Sequence, residues 1–162
     1  MLERRRFLIA LADGEHARFV HVHPGQPPRT VVIEDSVAAH KRSANLGADR
    51  PGASFHSHSV AHHSLSPRHD RKAQAKEHFA DLVASQLNAA DANGMFDALL
   101  LVAPARTLEA LRKGLDHATA ARLVAAIQKD LMKVPDYELA SHLSRWVRPR
   151  KRTLPYAATS KQ

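Results

Sequence analysis

An apolar run from Phe96 to Ala103 passes directly into a helical pattern at Pro104. A strand that is apolar nearly throughout is typical of a sheet interior, where other elements cover both faces. Proline is well tolerated at the start of a helix, so Pro104 favours a helix that runs to Leu115. The segment therefore predicts a buried strand over 96–103 followed at once by a helix, which indicates an α/β fold.

The N-terminal part predicts three short strands joined by tight turns. Asp13-Gly14 separates two apolar segments, and this dipeptide favours a hairpin because glycine tolerates positive φ. The flanking patterns predict strands near 5–12 and 16–23, and the β-branched run that follows predicts a third strand over 29–35. Three consecutive strands with short connections form an antiparallel meander.

After residue 70 the hydrophobic period changes from 2 to 3.6. A helix is expected from Asp70 to a stop at Asn93-Gly94, with an apolar stripe at positions 79, 82, 83, 87 and 90. A third helix is expected through Ala120, Leu123, Val124, Ile127 and Leu131. A fourth starts at Pro135 and places Leu139, Leu143 and Trp146 on one face.

These elements predict a single three-layer α/β domain over residues 1–147, with a mixed sheet and helices packed on it. Residues 40–70 have no sustained period and predict a long loop, which in a compact domain is usually functional or disordered. Residues 148–162 predict a flexible, basic C-terminal tail.

The charge of the chain is concentrated at its C-terminal end. The 24 Lys and Arg against 16 Asp and Glu give a net charge of +8, and residues 145–162 hold six basic residues and no acid. The preceding residues are nearly neutral. Such a tail indicates a polyanionic partner, RNA or a membrane surface, although a solvated, solubilising end fits it as well.

Other composition features favour a cytoplasmic protein. There is no cysteine, so there are no disulfides and no thiolate chemistry. No apolar stretch is long enough to cross a membrane. The apolar run after the basic start, 7–12, is too short for a signal peptide.

Four separated segments carry a resemblance to a known family. They are Ala12-Asp13-Gly14-x-x-Ala17-Arg18; Asp49-Arg50-Pro51-Gly52-x-Ser54-Phe55; Phe79-Ala80 with Leu87; and Leu101-Val102-Ala103-Pro104 through Leu111-Arg112 to Lys129-Asp130-Leu131. The chain resembles the bacterial family of proteins required for attachment to host cells, over about Arg5 to Trp146. That family in turn resembles the middle domain of eukaryotic and archaeal peptide-chain release factors.

The release-factor resemblance implies a three-layer domain and places the 40–70 loop where those factors carry a Gly-Gly-Gln loop. Residues 41–70 contain no glutamine, and the pair Gly25-Gln26 lies in a different connection. Ala53, His56 and Ala61 also depart from the arginine, acid and arginine usual in the family. Hydrolysis of peptidyl-tRNA by this route is therefore not expected, and no catalytic residue is assigned.

Two sets of residues are predicted to matter for function. The candidate RNA or phosphate contacts are Arg50, Arg68, Arg71, Lys72, Arg112, Lys129, Arg145, Arg148, Arg150, Lys151 and Arg152. The family-motif positions are Asp13, Arg18, Asp49, Arg50, Gly52, Phe55 and Asp130. Asp13 and Asp130 are interpreted as structural, through turn chemistry or pairing near a helix end.

Histidines are frequent in the loop but do not predict a metal site. His56, His58, His62 and His63 are weak ligand candidates, yet no Cys, Asp or Glu lies among positions 56–69 to complete a set. No metal and no cofactor are expected. The chain has only eight aromatic residues, which favours phosphate contacts over base stacking.

The leading hypothesis is a non-enzymatic, release-factor-like domain that binds RNA or the ribosome. The alternative is a protein-interaction module in surface attachment or stress response, which uses the sheet edge or the loop. A hydrolase acting on RNA or an aminoacyl ester is third. The sequence does not indicate the oligomeric state.

Overall fold

A computed structural model describes residues 5–36 and 67–147. For residues 67–70 it describes the backbone but not the side chains. The chain forms strands β1 (Phe7–Ala12), β2 (His16–Val22) and β3 (Arg29–Asp35), then helix α1 (Pro67–Ala92). Strand β4 (Ala98–Ala103) leads to helices α2 (Ala105–Gly114) and α3 (His117–Arg122), strand β5 (Leu123–Gln128) and helix α4 (Asp136–His142). Helix α1 begins at Pro67, so the last residues of the predicted 40–70 loop are helical.

The five strands form one mixed sheet in the order β3-β2-β1-β4-β5. Strands β1, β2 and β3 are the predicted antiparallel meander, and β4 pairs in parallel with both β1 and β5. The strand over 96–103 was predicted to be central; β4 does have a neighbour on each side, but β1 lies at the centre of the order. The mixed α/β fold predicted from the sequence is confirmed.

The sheet separates two hydrophobic cores. On one face the sheet packs against α1 and α2, through buried residues that include Phe79, Val83, Leu87, Leu108 and Leu111. On the other face the chain after β5 and helix α4 cover the sheet, with Leu131, Leu139, Leu143 and Val147. Alternate residues of β1 enter opposite cores because successive side chains of a strand point to opposite faces. These layers make the predicted three-layer arrangement.

The predicted helix over 120–131 is wrong. Only α3 is helical, and the apolar run from Leu123 to Gln128 pairs with β4 as a fifth strand. A short apolar run fits either period, so its pairing partner decides its conformation. Asn88 of α1 bonds the carbonyl of Gly114 and the amide of Asp116, each at 3.0 Å, which fixes the turn that delivers this strand.

Two smaller expectations also differ from the structure. Leu82, predicted on the buried stripe of α1, is about half exposed, whereas Phe79, Val83 and Leu87 are buried. The last helix ends at His142, so Trp146 lies in the turn that follows it. The predicted stop after α1 is present, because Gly94 adopts a φ of 65°.

Candidate nucleic-acid interface

The carboxyl ends of the three parallel strands meet along one side of the sheet, here called the carboxyl edge. Leu11 near the end of β1 lies opposite Val102 in β4, and Ala103 at the end of β4 lies opposite Gln128 in β5. The chain leaves β1 toward β2 and leaves β4 toward β5, in opposite directions. Ligands of α/β sheets bind in the crevice outside such a divergence of connections.

The hairpin at the end of β1 forms one wall of this crevice. The Asp13 carboxylate accepts hydrogen bonds from the amides of Glu15, at 3.0 Å, and His16, at 2.8 Å. Gly14 has a φ of 94°, a left-handed conformation that suits glycine. Asp13 therefore shapes the turn, and its carboxylate is occupied by backbone donors.

Helices α1 and α2 pack closely against this hairpin. A Cβ atom at Gly14 would lie 3.3 Å from Cδ of Lys76 and 3.5 Å from Oγ1 of Thr107. The stem of Lys76 therefore lies across the turn, and its exposed ammonium group lies at the carboxyl edge. Lys76 was not among the residues predicted from the sequence, although it lies one helical turn after Lys72.

Three further exposed cations lie on α1 before Lys76 and at the end of β5. Arg71 and Lys72 are exposed on the preceding turns of α1, and Lys129 is exposed as the first residue after β5. Within the described part of the chain, none of the four side chains has a hydrogen-bond or ion-pair partner. Arg106 in the first turn of α2 is also exposed, with Nη2 lying 3.4 Å from Oε1 of Glu77.

Several acidic side chains at the same edge already have partners. Asp35 lies 2.7 Å from Nδ1 of His16, and this hydrogen bond raises the pKa of His16 above its ordinary value. The Asp130 carboxylate accepts from the amide of Met132 at 3.2 Å. Glu77 pairs with Arg106. Each of these carboxylates therefore has a hydrogen-bond or ion-pair partner, and none of them pairs with Arg71, Lys72, Lys76 or Lys129.

The family comparison matches most of the chain. The family model described as "Protein required for attachment to host cells" matches residues 8–143. The chain belongs to this family. The comparison with curated proteins finds no match.

Among solved structures, this host-attachment family member is similar to a protein described as archaeal translation termination factor, aRF1. The sequence identity is 12% and the TM-score is 0.47. The similarity covers 86% of this chain and 39% of that chain, so this chain spans well under half of that factor.

Among the motif positions of this host-attachment family member, Arg18 joins the sheet to a distant loop. Its Nη2 donates to the carbonyl oxygen of Val134 at 2.6 Å and lies 3.4 Å from that of Leu131. Its Nε is buried and has no acceptor among the residues described. Arg18 thus holds the segment after β5 against β2.

Two other predicted contacts lie on other elements of the described structure. Arg112 is exposed toward the C-terminal end of α2, and Arg145 follows α4, with its guanidinium 5.9 Å from the centre of the Trp146 ring. The side chain of Arg68 lies outside the described atoms. Also outside the described residues are Asp49, Arg50, Gly52, Phe55, Arg148, Arg150, Lys151, Arg152 and the loop histidines His56, His58, His62 and His63.

The ranges 5–36 and 67–147 contain no group of three or more His, Asp or Glu side chains placed to hold a metal ion. In the same ranges no helix has the length and hydropathy needed to cross a membrane.

Proposed function

We propose that this host-attachment family member binds RNA, free or within the ribosome, and that it does so without catalysing a reaction. The carboxyl edge supplies phosphate contacts, and the basic C-terminal tail supplies further affinity. The observation that carries the proposal is the group of four exposed cations without partners, Arg71, Lys72, Lys76 and Lys129.

Phosphate is the ligand that this arrangement favours. Lys72 and Lys76 are four residues apart on α1, so their ammonium groups lie on one face of the helix. Lysine and arginine contacts to phosphate account for most of the affinity of sequence-independent nucleic-acid binding. Because none of the four cationic side chains has an ion-pair partner among the described residues, they are available to an external anion.

The shape of the edge supports the same ligand. Gly14 has no side chain, so the stem of Lys76 and the hydroxyl of Thr107 pack closely against the turn, which keeps Lys76 at the carboxyl edge. Ser36, which follows β3, lies on this side of the sheet, as does the first part of α1. Ser36 donates its amide to the carbonyl of Glu15 at 2.7 Å, and Pro67 begins the part of α1 that precedes Lys76.

The proposal is tested with a fluorescein-labelled, 20-nucleotide oligo(U) RNA and the full chain, by fluorescence anisotropy at several salt concentrations. The double variant Lys72→Gln, Lys76→Gln removes two charges at the carboxyl edge. The double variant Arg5→Gln, Arg29→Gln removes two exposed charges near the amino ends of the strands and is the matched control.

The edge variant should bind more weakly than wild type. The slope of log K against log salt should become less steep by about one to two, since each single-strand phosphate contact contributes about 0.7 to that slope. The control should retain most of the affinity and slope. Equal losses in the two variants would mean that net charge alone drives binding. No binding of wild type at 50 mM salt, to either this RNA or purified ribosomes, would refute the proposal.

A further inference from the structure

Strand β3 forms one outer edge of the sheet and carries exposed apolar side chains. It pairs with β2 on one side only. Val31 is 46% exposed and Ile33 is 69% exposed. Proteins usually protect such edges, because unpaired amide and carbonyl groups accept a strand from another chain.

Only the start of this edge is protected by the residues described. The pairing of β2 with β3 is irregular at Phe19 and Val20, which leaves Val31 unpaired in the register. The amide of Thr30 donates to Oδ2 of Asp136 at 2.6 Å. The irregular pairing at Val31 and the hydrogen bond of Thr30 protect only the first part of β3. Residues 32–35 have no backbone hydrogen-bond partner on their outer side within 5–36 and 67–147.

A groove of about 300 Å³ lies beside this edge, between β3 and the C-terminal half of α1. Residues of β1, β2 and β3 line it on one side, and residues of α1, with Asn93 and Met95 after it, line it on the other. Its apolar lining includes Phe19, Val31, Val32, Ala89, Ala90 and Met95. The groove between α1 and β3 is thus open to solvent.

The groove also carries one unpaired negative charge. Glu34 lines it, and within the described ranges no cation lies within ion-pair distance of its carboxylate. Val32 and Glu34 are two residues apart in β3, so their side chains lie on the same face of the sheet. The groove therefore offers an apolar contact at Val32 and an acidic contact at Glu34, two residues further along β3.

We propose that β3 accepts an extended peptide of a partner protein as a sixth strand, and that this peptide carries an apolar residue and a Lys or Arg two positions apart. Main-chain hydrogen bonds to residues 32–35 supply affinity, as in other cases of strand addition. The apolar side chain enters the groove beside Val32 and Met95, and the cation meets Glu34. This surface is separate from the carboxyl-edge cations, so it does not depend on RNA binding.

The test uses a labelled eight-residue peptide with valine and lysine alternating at odd positions and threonine at even positions. Binding to the full chain is measured by anisotropy, and amide chemical shifts map the contact. In two further peptides, the backbone amides are N-methylated at all odd positions or at all even positions. Each modification removes the hydrogen-bond donors along one edge of the extended peptide. Variants are Glu34→Gln and Ile33→Thr, with Val124→Thr as control, since Val124 is 41% exposed on β5 at the other end of the sheet.

The expected result is a set of shifts confined to β3, the end of α1 and Met95. One N-methylated peptide should lose binding while the other retains it, because a docked strand uses one edge. Glu34→Gln should weaken binding about twofold to fivefold, as for an exposed ion pair. Ile33→Thr should change binding less than Glu34→Gln, because the side chain of Ile33 lies on the opposite face of β3 from Val32 and Glu34. Val124→Thr should leave binding unchanged.

Several outcomes would overturn the proposal. They are equal binding of both N-methylated peptides, no effect of Glu34→Gln, or shifts outside β3 and the groove. Self-association of wild type that Ile33→Thr abolishes would assign the edge to a second copy. Shifts in β3 caused by oligo(U) in place of the peptide would assign it to nucleic acid. No binding of the peptide at millimolar concentration would also refute it.

Discussion

Nη2 of Arg18 in β2 donates to the carbonyl oxygen of Val134 at 2.6 Å, joining residues 116 positions apart. The same group lies 3.4 Å from the carbonyl of Leu131, whose side chain is buried in the core beside α4. A residue that matches the family motif thus fastens the loop after β5 to the sheet.

Replacing Arg18 should therefore cost stability. Arg18→Ala leaves the carbonyl of Val134 without its donor, and we expect a loss of about 1–3 kcal/mol in the free energy of unfolding. Urea denaturation measures this loss. Arg29→Ala, at an exposed arginine without a partner in the described structure, is the control and should change stability little. Equal effects of the two substitutions would contradict this role of Arg18.

Gly14 should tolerate substitution less well than Gly94. Both adopt positive φ, 94° and 65°, but a Cβ at Gly14 meets Lys76 at 3.3 Å, whereas nothing lies within 4 Å of one at Gly94. We expect Gly94→Ala to cost about 1 kcal/mol for its left-handed backbone and Gly14→Ala to cost more. Thermal denaturation of the two variants compares the costs. The reverse order would mean that the hairpin relaxes freely away from α1.

The ion pair between Arg6 and Asp97 should make stability depend on acid pH. Arg6 donates to the Asp97 carboxylate through its amide and its guanidinium, at 2.9–3.1 Å, and these bonds lower the pKa of Asp97 to about 2. Because the folded pKa lies below the ordinary value of 3.8, this stabilisation is present above pH 3.8 and is lost as pH falls toward 2.

Asp97→Asn should accordingly be less stable than wild type at pH 7, and the difference should shrink between pH 4 and pH 2. Thermal melts across this range measure it. Glu109→Gln, in the exposed pair with Lys113, is the control and should change stability by only a few tenths of a kcal/mol. A constant difference between Asp97→Asn and wild type over the whole range would contradict the assignment.

Removing the basic tail should weaken RNA binding without unfolding the domain. Truncation after Val147 removes five Lys and Arg, among them Arg148, Arg150, Lys151 and Arg152. In salt titrations of oligo(U) binding, the slope of log K against log salt should become less steep by up to about three or four. The melting temperature should remain nearly unchanged. A protein-interaction function predicts no change in slope, and equal affinity and slope before and after truncation would remove the tail from the proposed interface.

The sequence by itself determined the features whose causes are local. The Asp13-Gly14 turn needs only an acceptor for nearby amides and a residue that tolerates positive φ, and both are visible in the chain. The strand predicted over 96–103, which the structure has as Ala98–Ala103, was predictable because an apolar run of this length is buried in any compact arrangement. The resemblance to the host-attachment family also rested on short motifs, and the family match confirms it.

Tertiary structure decided what depends on distant partners. Leu123–Gln128 became a strand because β4 offered a free edge, which the local period does not reveal. Lys76 and Lys129 are 53 positions apart. The antiparallel course of α1 against β4 brings Lys76 to the carboxyl edge, and the parallel pairing of β5 with β4 brings Lys129 there. The exposed edge of β3 arose for the same reason, since only the strand order shows which strand is left with one neighbour.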